Sequence, residues 1–115
     1  MTPEELALLC ARGADRRKGE EIAILDLRGK SSLADFFVLI SGTSEPHLKA
    51  LRDEVEERAA EQGVRARGVD GFPMSQWIIL DFVDTVVHLF SRERREFYAL
   101  ERLWGDAPRV EWAPD

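Results

Sequence analysis

The chain has little of the chemistry that marks a secreted protein or a metalloenzyme. Cys10 is the only cysteine among 115 residues, so no intrachain disulfide is possible, and a cytoplasmic setting is expected. It falls in the helically spaced set Leu6, Leu9, Cys10 and reads as a buried thiol serving as a small hydrophobe. No apolar run approaches the roughly 20 residues that span a bilayer, and the acidic start TPEEL is unlike a secretory or transit peptide. Positive charge is also short. Twenty-two acidic residues face sixteen basic ones, a net charge of -6, which repels phosphate backbones and anionic membranes and argues against direct, non-specific nucleic-acid binding. The basic clusters Arg16, Arg17, Lys18 and Arg92, Arg94, Arg95 neighbour glutamates and read as solvated helix faces.

What is present suits one folded body. The 44% hydrophobic and 33% charged composition lies far from that of disordered chains, and the length fits one core. Residues 1–105 are expected to form a single domain and residues 106–115, with Pro108 and Pro114, a flexible tail. Thr2, Pro3 and Glu5 have the order of a capping box with proline at the first helical position, predicting a helix to about Lys18. Residues 21–28 and 35–41 have strand patterns, the second short and rich in aromatic and β-branched residues, hence mostly buried. Ser44 caps an amphipathic helix whose Leu48, Leu51 and Val55 share a face, and Gly63 stops it. An extended piece at 64–69 completes a parallel crossover unit, and 70–76 is a loop.

Residues 77–82 and 86–91 read as an antiparallel hairpin, and Ser91 caps a last helix ending near Trp104 and Gly105. The predicted class is α/β, a mixed sheet of about five strands flanked by helices. Successive strand residues point to opposite faces. With a tight turn centred on Val83 and Asp84, the sets Ile78, Leu80, Phe82 and Val87, Leu89 share one face, which belongs under the helices.

The other face carries Trp77, Ile79, Asp81, Val86, His88 and Phe90. Large aromatics with isolated polar groups are the composition of an interface core; alternatively, a further helix covers them and Asp81 pairs with His88. Asp81, Asp84 and His88 lack the companion ligands of a metal site, and no nucleophile has a recognisable base and orienting partner. The SGTS segment at 41–44 has the form of an anion site at a helix start, but lacks the lysine of a phosphate-binding loop and is accounted for as a cap and turn.

In order and spacing, Asp26 with RGKSS, ADFFVLISGTS followed by His47, Trp77 with Asp81, VVHLF, and REFYALERLW resemble the ribosomal silencing factors, the Iojap-like family, over about residues 20–104. The resemblance implies a translation repressor, not an enzyme and without a cofactor. It implies binding to the large ribosomal subunit through ribosomal protein L-fourteen and a steric block to joining with the small subunit. It also implies a nucleotidyltransferase-like fold without the catalytic pattern, and a homodimer in isolation. Trp77, Asp81 and His88 match the family's hairpin motif, and Arg95, Tyr98, Glu101 and Trp104 its final helix. The expected partner-binding set is therefore Trp77, Ile79, Asp81, His88, Phe90, Arg95 and Tyr98, with Tyr98 and Trp104 equally suited to the core. Val83 stands where the family pattern has glycine. The runner-up is a divergent nucleotide-binding enzyme with a site near Gly42, Thr43, Asp81 and Asp84.

Overall fold

The computed structural model describes residues 1–71 and 73–115; Phe72 lies outside the described residues. The elements run α1 (Pro3–Arg16), β1 (Glu20–Asp26), β2 (Phe36–Gly42), α2 (Glu45–Glu61), β3 (Gly68–Asp70), a 3-10 turn (Pro73–Ser75), β4 (Trp77–Asp81), β5 (Thr85–Ser91), α3 (Arg92–Tyr98) and α4 (Leu100–Leu103). The expected capping box is present: Glu5 N–H donates to Thr2 Oγ1 at 3.1 Å and Thr2 N–H donates to Glu5 Oε1 at 2.8 Å. These bonds satisfy two backbone donors that a helix start otherwise leaves open. Ser44 and Ser91 cap α2 and α3 with one bond each, their hydroxyl oxygens accepting from His47 N–H and Arg94 N–H.

The five strands form one mixed sheet in the order β1-β2-β5-β4-β3. β2 lies parallel to β5, and every other neighbouring pair is antiparallel. β3 therefore runs in the direction of β2, as the crossover unit required, but with β5 and β4 between them. It is also shorter than the predicted 64–69 span, because Val64 and Ala66 pack against the core under α1 and α2 instead of joining the sheet. The predicted hairpin faces are found. Ile78, Leu80, Phe82, Val87 and Leu89 join Leu6, Cys10, Leu48, Leu51 and Val55 in the core beneath α1 and α2. A second core on the opposite face gathers Leu25, Leu27, Phe37, Leu39 and Phe90, with Trp77, Val86, Leu100 and Trp104 packed against it. Cys10 is fully buried, and burial pushes its thiol up to about 12.

Two expectations need correction. The last helix is not continuous: Ala99 adopts the left-handed conformation (φ 48°, ψ 48°) and divides it into α3 and α4. Nor is the segment after Gly105 a loose tail. Asp26 N–H donates to Pro108 O at 2.8 Å and Val110 N–H to Ile24 O at 2.9 Å, so the chain covers the outer edge of β1, whose backbone groups would otherwise lack sheet partners. Val110 and Trp112 then pack on the core, and the Asp115 carboxylate meets Arg58 at 2.7 Å and Arg16 at 3.5 Å. Truncation after Gly105 is accordingly expected to lower the unfolding free energy by about 2–4 kcal/mol through lost apolar burial. Urea denaturation checks this; an unchanged midpoint would mean the contacts contribute nothing.

The hairpin turn carries local strain. Val83 has φ 78° and Asp84 N–H bonds back to Phe82 O at 3.1 Å, the pattern of a γ-turn with positive φ, which is strained and for a β-branched residue a true outlier. Asp81 supports the turn by accepting from Val83 N–H at 2.8 Å. Replacing Val83 by glycine removes the steric conflict but enlarges the unfolded ensemble. The net expectation for Val83→Gly is a gain of roughly 0.5–1 kcal/mol, visible as a melting temperature higher by a few degrees; a lower one would contradict it.

Candidate partner-binding face

The β4–β5 register sets Trp77 opposite Phe90, Ile79 opposite His88 and Asp81 opposite Val86. All six side chains thus project from the face that α1 and α2 do not cover, but they lie at different depths. Phe90 is fully buried and His88 is 6% exposed, whereas Trp77, Ile79 and Asp81 are half-buried. The cause is position in the sheet: β5 is central and covered by the second core, while β4 lies nearer the open edge at β3.

Tyr98, at the end of α3, completes the outer layer. Its ring lies 4.4 Å from that of Trp77, centroid to centroid, and it is 46% exposed. With Ile79, Arg94, Asp70, Gly71 and Ser75 these two rings line a shallow concavity between β4 and α3. Beside it the Phe97 ring sits 5.1 Å from Tyr98 and is 77% exposed. Phe97 and Arg94 were not foreseen as site residues. Adjacent Phe97 and Tyr98 on one short helix cannot both face the sheet, and that adjacency was the available signal. Gly71 has φ 84°, and a Cβ there would collide with the Trp77 carbonyl, so only glycine allows the loop to close over β4.

Asp81 and His88 do not pair. Asp81 forms an ion pair with Arg67 at 2.7 Å, and the Arg67 guanidinium holds its carboxyl below the usual carboxylate range. His88 Nδ1 accepts from Trp77 Nε1–H at 3.2 Å, which leaves the hydrogen on Nε2. That atom has no hydrogen-bond partner among the described residues. The imidazole is enclosed by Phe37 at 4.7 Å, Trp77 at 6.0 Å and Phe90 at 6.2 Å between ring centroids. His88 therefore orients Trp77 from beneath.

Arg95 is also interior, only 5% exposed. Its Nε donates to Glu101 Oε1 at 2.7 Å and its Nη1 to Ser41 Oγ at 2.9 Å. Of the seven residues expected to bind a partner, the structure brings Trp77, Ile79 and Tyr98 together at an accessible surface and sets Asp81 along the same face. It places His88, Phe90 and Arg95 below, with almost no surface to offer. Trp104 packs against the second core, its ring 6.3 Å from Phe37.

At the SGTS segment, Thr43 N–H donates to His47 Nδ1 at 2.9 Å and His47 Nε2–H to Arg17 O at 2.8 Å. A backbone donor that an anion would use is thus already engaged, and His47 ties the start of α2 to the end of α1. A Cβ at Gly42 would strike Leu48, so this glycine serves close packing of α2 on the sheet. Among the described residues no three His, Cys, Asp or Glu side chains gather as metal ligands, and no helix is long and apolar enough to cross a membrane.

With this geometry in place, comparison with known proteins is decisive. The whole chain, residues 1–115, matches the family described as "Ribosomal silencing factor during starvation". The chain belongs to the ribosomal silencing factor family. It is 39% identical over 111 residues to the ribosomal silencing factor RsfS of Halalkalibacterium halodurans, covering 96% of this chain and 95% of that one. To RsfS of Bacillus subtilis it is 35% identical over 108 residues, 94% and 92% of the two chains. Its fold superposes on an X-ray structure of a Chromobacterium violaceum protein with a TM-score of 0.87 at 30% identity, covering 100% of this chain and 95% of that one. The resemblance noted from the motifs therefore holds along the full length, and the α/β mixed sheet is that of solved relatives.

The interior histidine of this ribosomal silencing factor has a measurable consequence. Burial lowers His88 from 6.5 to about 4. Between those values the unfolded chain binds a proton that the folded protein does not, so His88 causes no loss above about pH 6.5 and progressively destabilises the fold as pH falls toward 4. The loss approaches roughly 3 kcal/mol at the lower end. Unfolding free energies of the wild type and His88→Gln across this window should diverge by that slope; parallel profiles would contradict it.

Proposed function

We propose that the protein is a ribosome-associated translation silencer that binds the large ribosomal subunit and sterically prevents its joining with the small subunit. The contact is through ribosomal protein L-fourteen, and the binding face is the outer layer of the hairpin: Trp77, Ile79, Asp81 and Tyr98, held from below by His88, Phe90 and Arg95. The action is non-enzymatic and cytoplasmic. The observation that carries this reading is the exposed pairing of Trp77 with Tyr98 beside Phe97 on an otherwise covered sheet face, in a chain of this family. Aromatic rings that combine large contact area with few rotatable bonds are the usual anchors of protein interfaces. The net charge of -6 is complementary to a basic ribosomal protein and speeds encounter with it.

In isolation the same exposed apolar surface favours pairing with a second copy, and a homodimer is expected; sedimentation of the purified chain as a monomer at every concentration would refute this. The silencing role itself is tested with purified subunits on sucrose gradients. The protein should co-migrate with the large subunit and lower the yield of joined ribosomes. Trp77→Ala and Tyr98→Ala should each weaken large-subunit binding by about 1 kcal/mol or more, with the protein still folded at the assay temperature. Unaltered subunit joining at saturating protein would sink the proposal.

A further inference from the structure

Arg95 is a cation almost entirely withdrawn from water, and charged side chains are rarely buried without a pairing that compensates for lost hydration. Here the pairing is a chain of contacts that crosses four parts of the fold: β2, α3, α4 and the C-terminal segment. Ser41 Oγ on β2 accepts from Arg95 Nη1 at 2.9 Å, Arg95 Nε donates to Glu101 Oε1 on α4 at 2.7 Å, and Glu101 Oε2 accepts from Arg109 Nη2 at 2.8 Å. The Arg95 guanidinium also lies 5.7 Å from the centre of the Phe90 ring, within cation–π range. Arg109 in turn is paired with Leu25 on the edge strand β1.

This chain is placed where the backbone is least self-supporting. α3 has seven residues and α4 four, both too short to be stable alone, and they meet at Ala99 in a left-handed conformation unfavourable for a residue with a Cβ. Arg95 and Glu101 lie on either side of that junction, so their ion pair closes it. Tyr98 stands one turn after Arg95, on a neighbouring part of the same helix surface, and is the residue that α3 delivers to Trp77. Glu101 keeps a carboxyl below the usual range because Arg95 and then Arg109 stabilise its charge.

We propose that Arg95 is the positioning residue of the partner-binding face: by locking α3 and α4 onto β2 it holds Tyr98 against Trp77 in the arrangement that the partner reads. This rests on the reading of that face as the large-subunit contact. Arg95 acts through Tyr98 and touches no partner itself.

A double-mutant cycle on Arg95 and Tyr98 tests it, with affinity for purified large subunits as the readout. Arg95→Met leaves Glu101 paired with Arg109, so no carboxylate is stranded. It should weaken binding about tenfold in the wild-type background and no more than about twofold when Tyr98→Ala is already present. Arg95→Lys, which restores charge but not the two-pronged geometry, should recover only part of the loss. If Arg95→Met does not fold, Glu101→Gln enters the same cycle with the same expectation. Equal losses in both backgrounds would mean that the ion pair supports the fold generally, and would overturn the role of Arg95 while leaving the face intact. If Tyr98→Ala and Trp77→Ala leave binding unchanged, the face itself is misassigned and the positioning role falls with it.

Discussion

The structure depends first on the register of β4 against β5. Strand side chains alternate, so a slip of one residue would send Ile78 and Leu80 to the outer side and bring Trp77, Ile79 and Asp81 beneath α1 and α2. Two local features hold the register: the γ-turn at Val83 and the Asp81 carboxylate that bonds Val83 N–H and Arg67 together. A third acts from a distance, since Thr85 Oγ1 at the start of β5 donates to Pro3 O at 2.8 Å. That bond joins the hairpin to the beginning of the first helix. The strained turn is tolerated because the many contacts of the two cores over-determine it.

Once register is set, coverage decides what is available for recognition. α1 and α2 lie side by side over one sheet face, with Val110 and Trp112 beside them; α4, Ala107 and most of α3 cover the other over β1, β2 and β5, and only Tyr98 reaches across to Trp77 on β4. The rest of that second face, at β4, remains partly open. Its outer rings are supported rather than free. Trp77 is hydrogen-bonded to His88, stacked near Phe90 and capped by Tyr98. A surface built this way has little side-chain freedom left to lose, which is the energetic advantage of preorganisation. The buried polar groups beneath it, His88 and Arg95, serve that rigidity in different ways. One gives direction to an indole N–H, and the other closes a helix junction.

Much of this was legible from residue order. Capping residues marked the starts of α1, α2 and α3, Gly63 marked the end of α2, and period-two patterning divided the hairpin between two faces. The same patterning could not distinguish Trp77 from Phe90, which lie opposite each other but differ in burial. Nor could it separate Arg95 from its exposed neighbours Arg92 and Arg94, since a helix of seven residues offers too few turns to define a buried stripe. The break at Ala99 left no mark because alanine is a strong helix former, and the fold imposes a conformation that its propensity opposes. The C-terminal segment was misjudged for a related reason: prolines spoke for irregular structure, and irregular structure was taken for looseness.

By itself the sequence determined the five strands and the first two helices, the two sides of the hairpin, the family, and the interior fate of Cys10. These follow from local preferences and from periodicity, which act between near neighbours in the chain. Only the tertiary structure decided depth: which members of one strand face meet water, which ion pair closes a helix junction, and that residues 108–110 bind the edge of β1. Depth is a property of what packs over a residue. Ser41 and Arg95, Trp77 and Tyr98, Ile24 and Val110 are all far apart in the chain, and no local preference encodes their meeting.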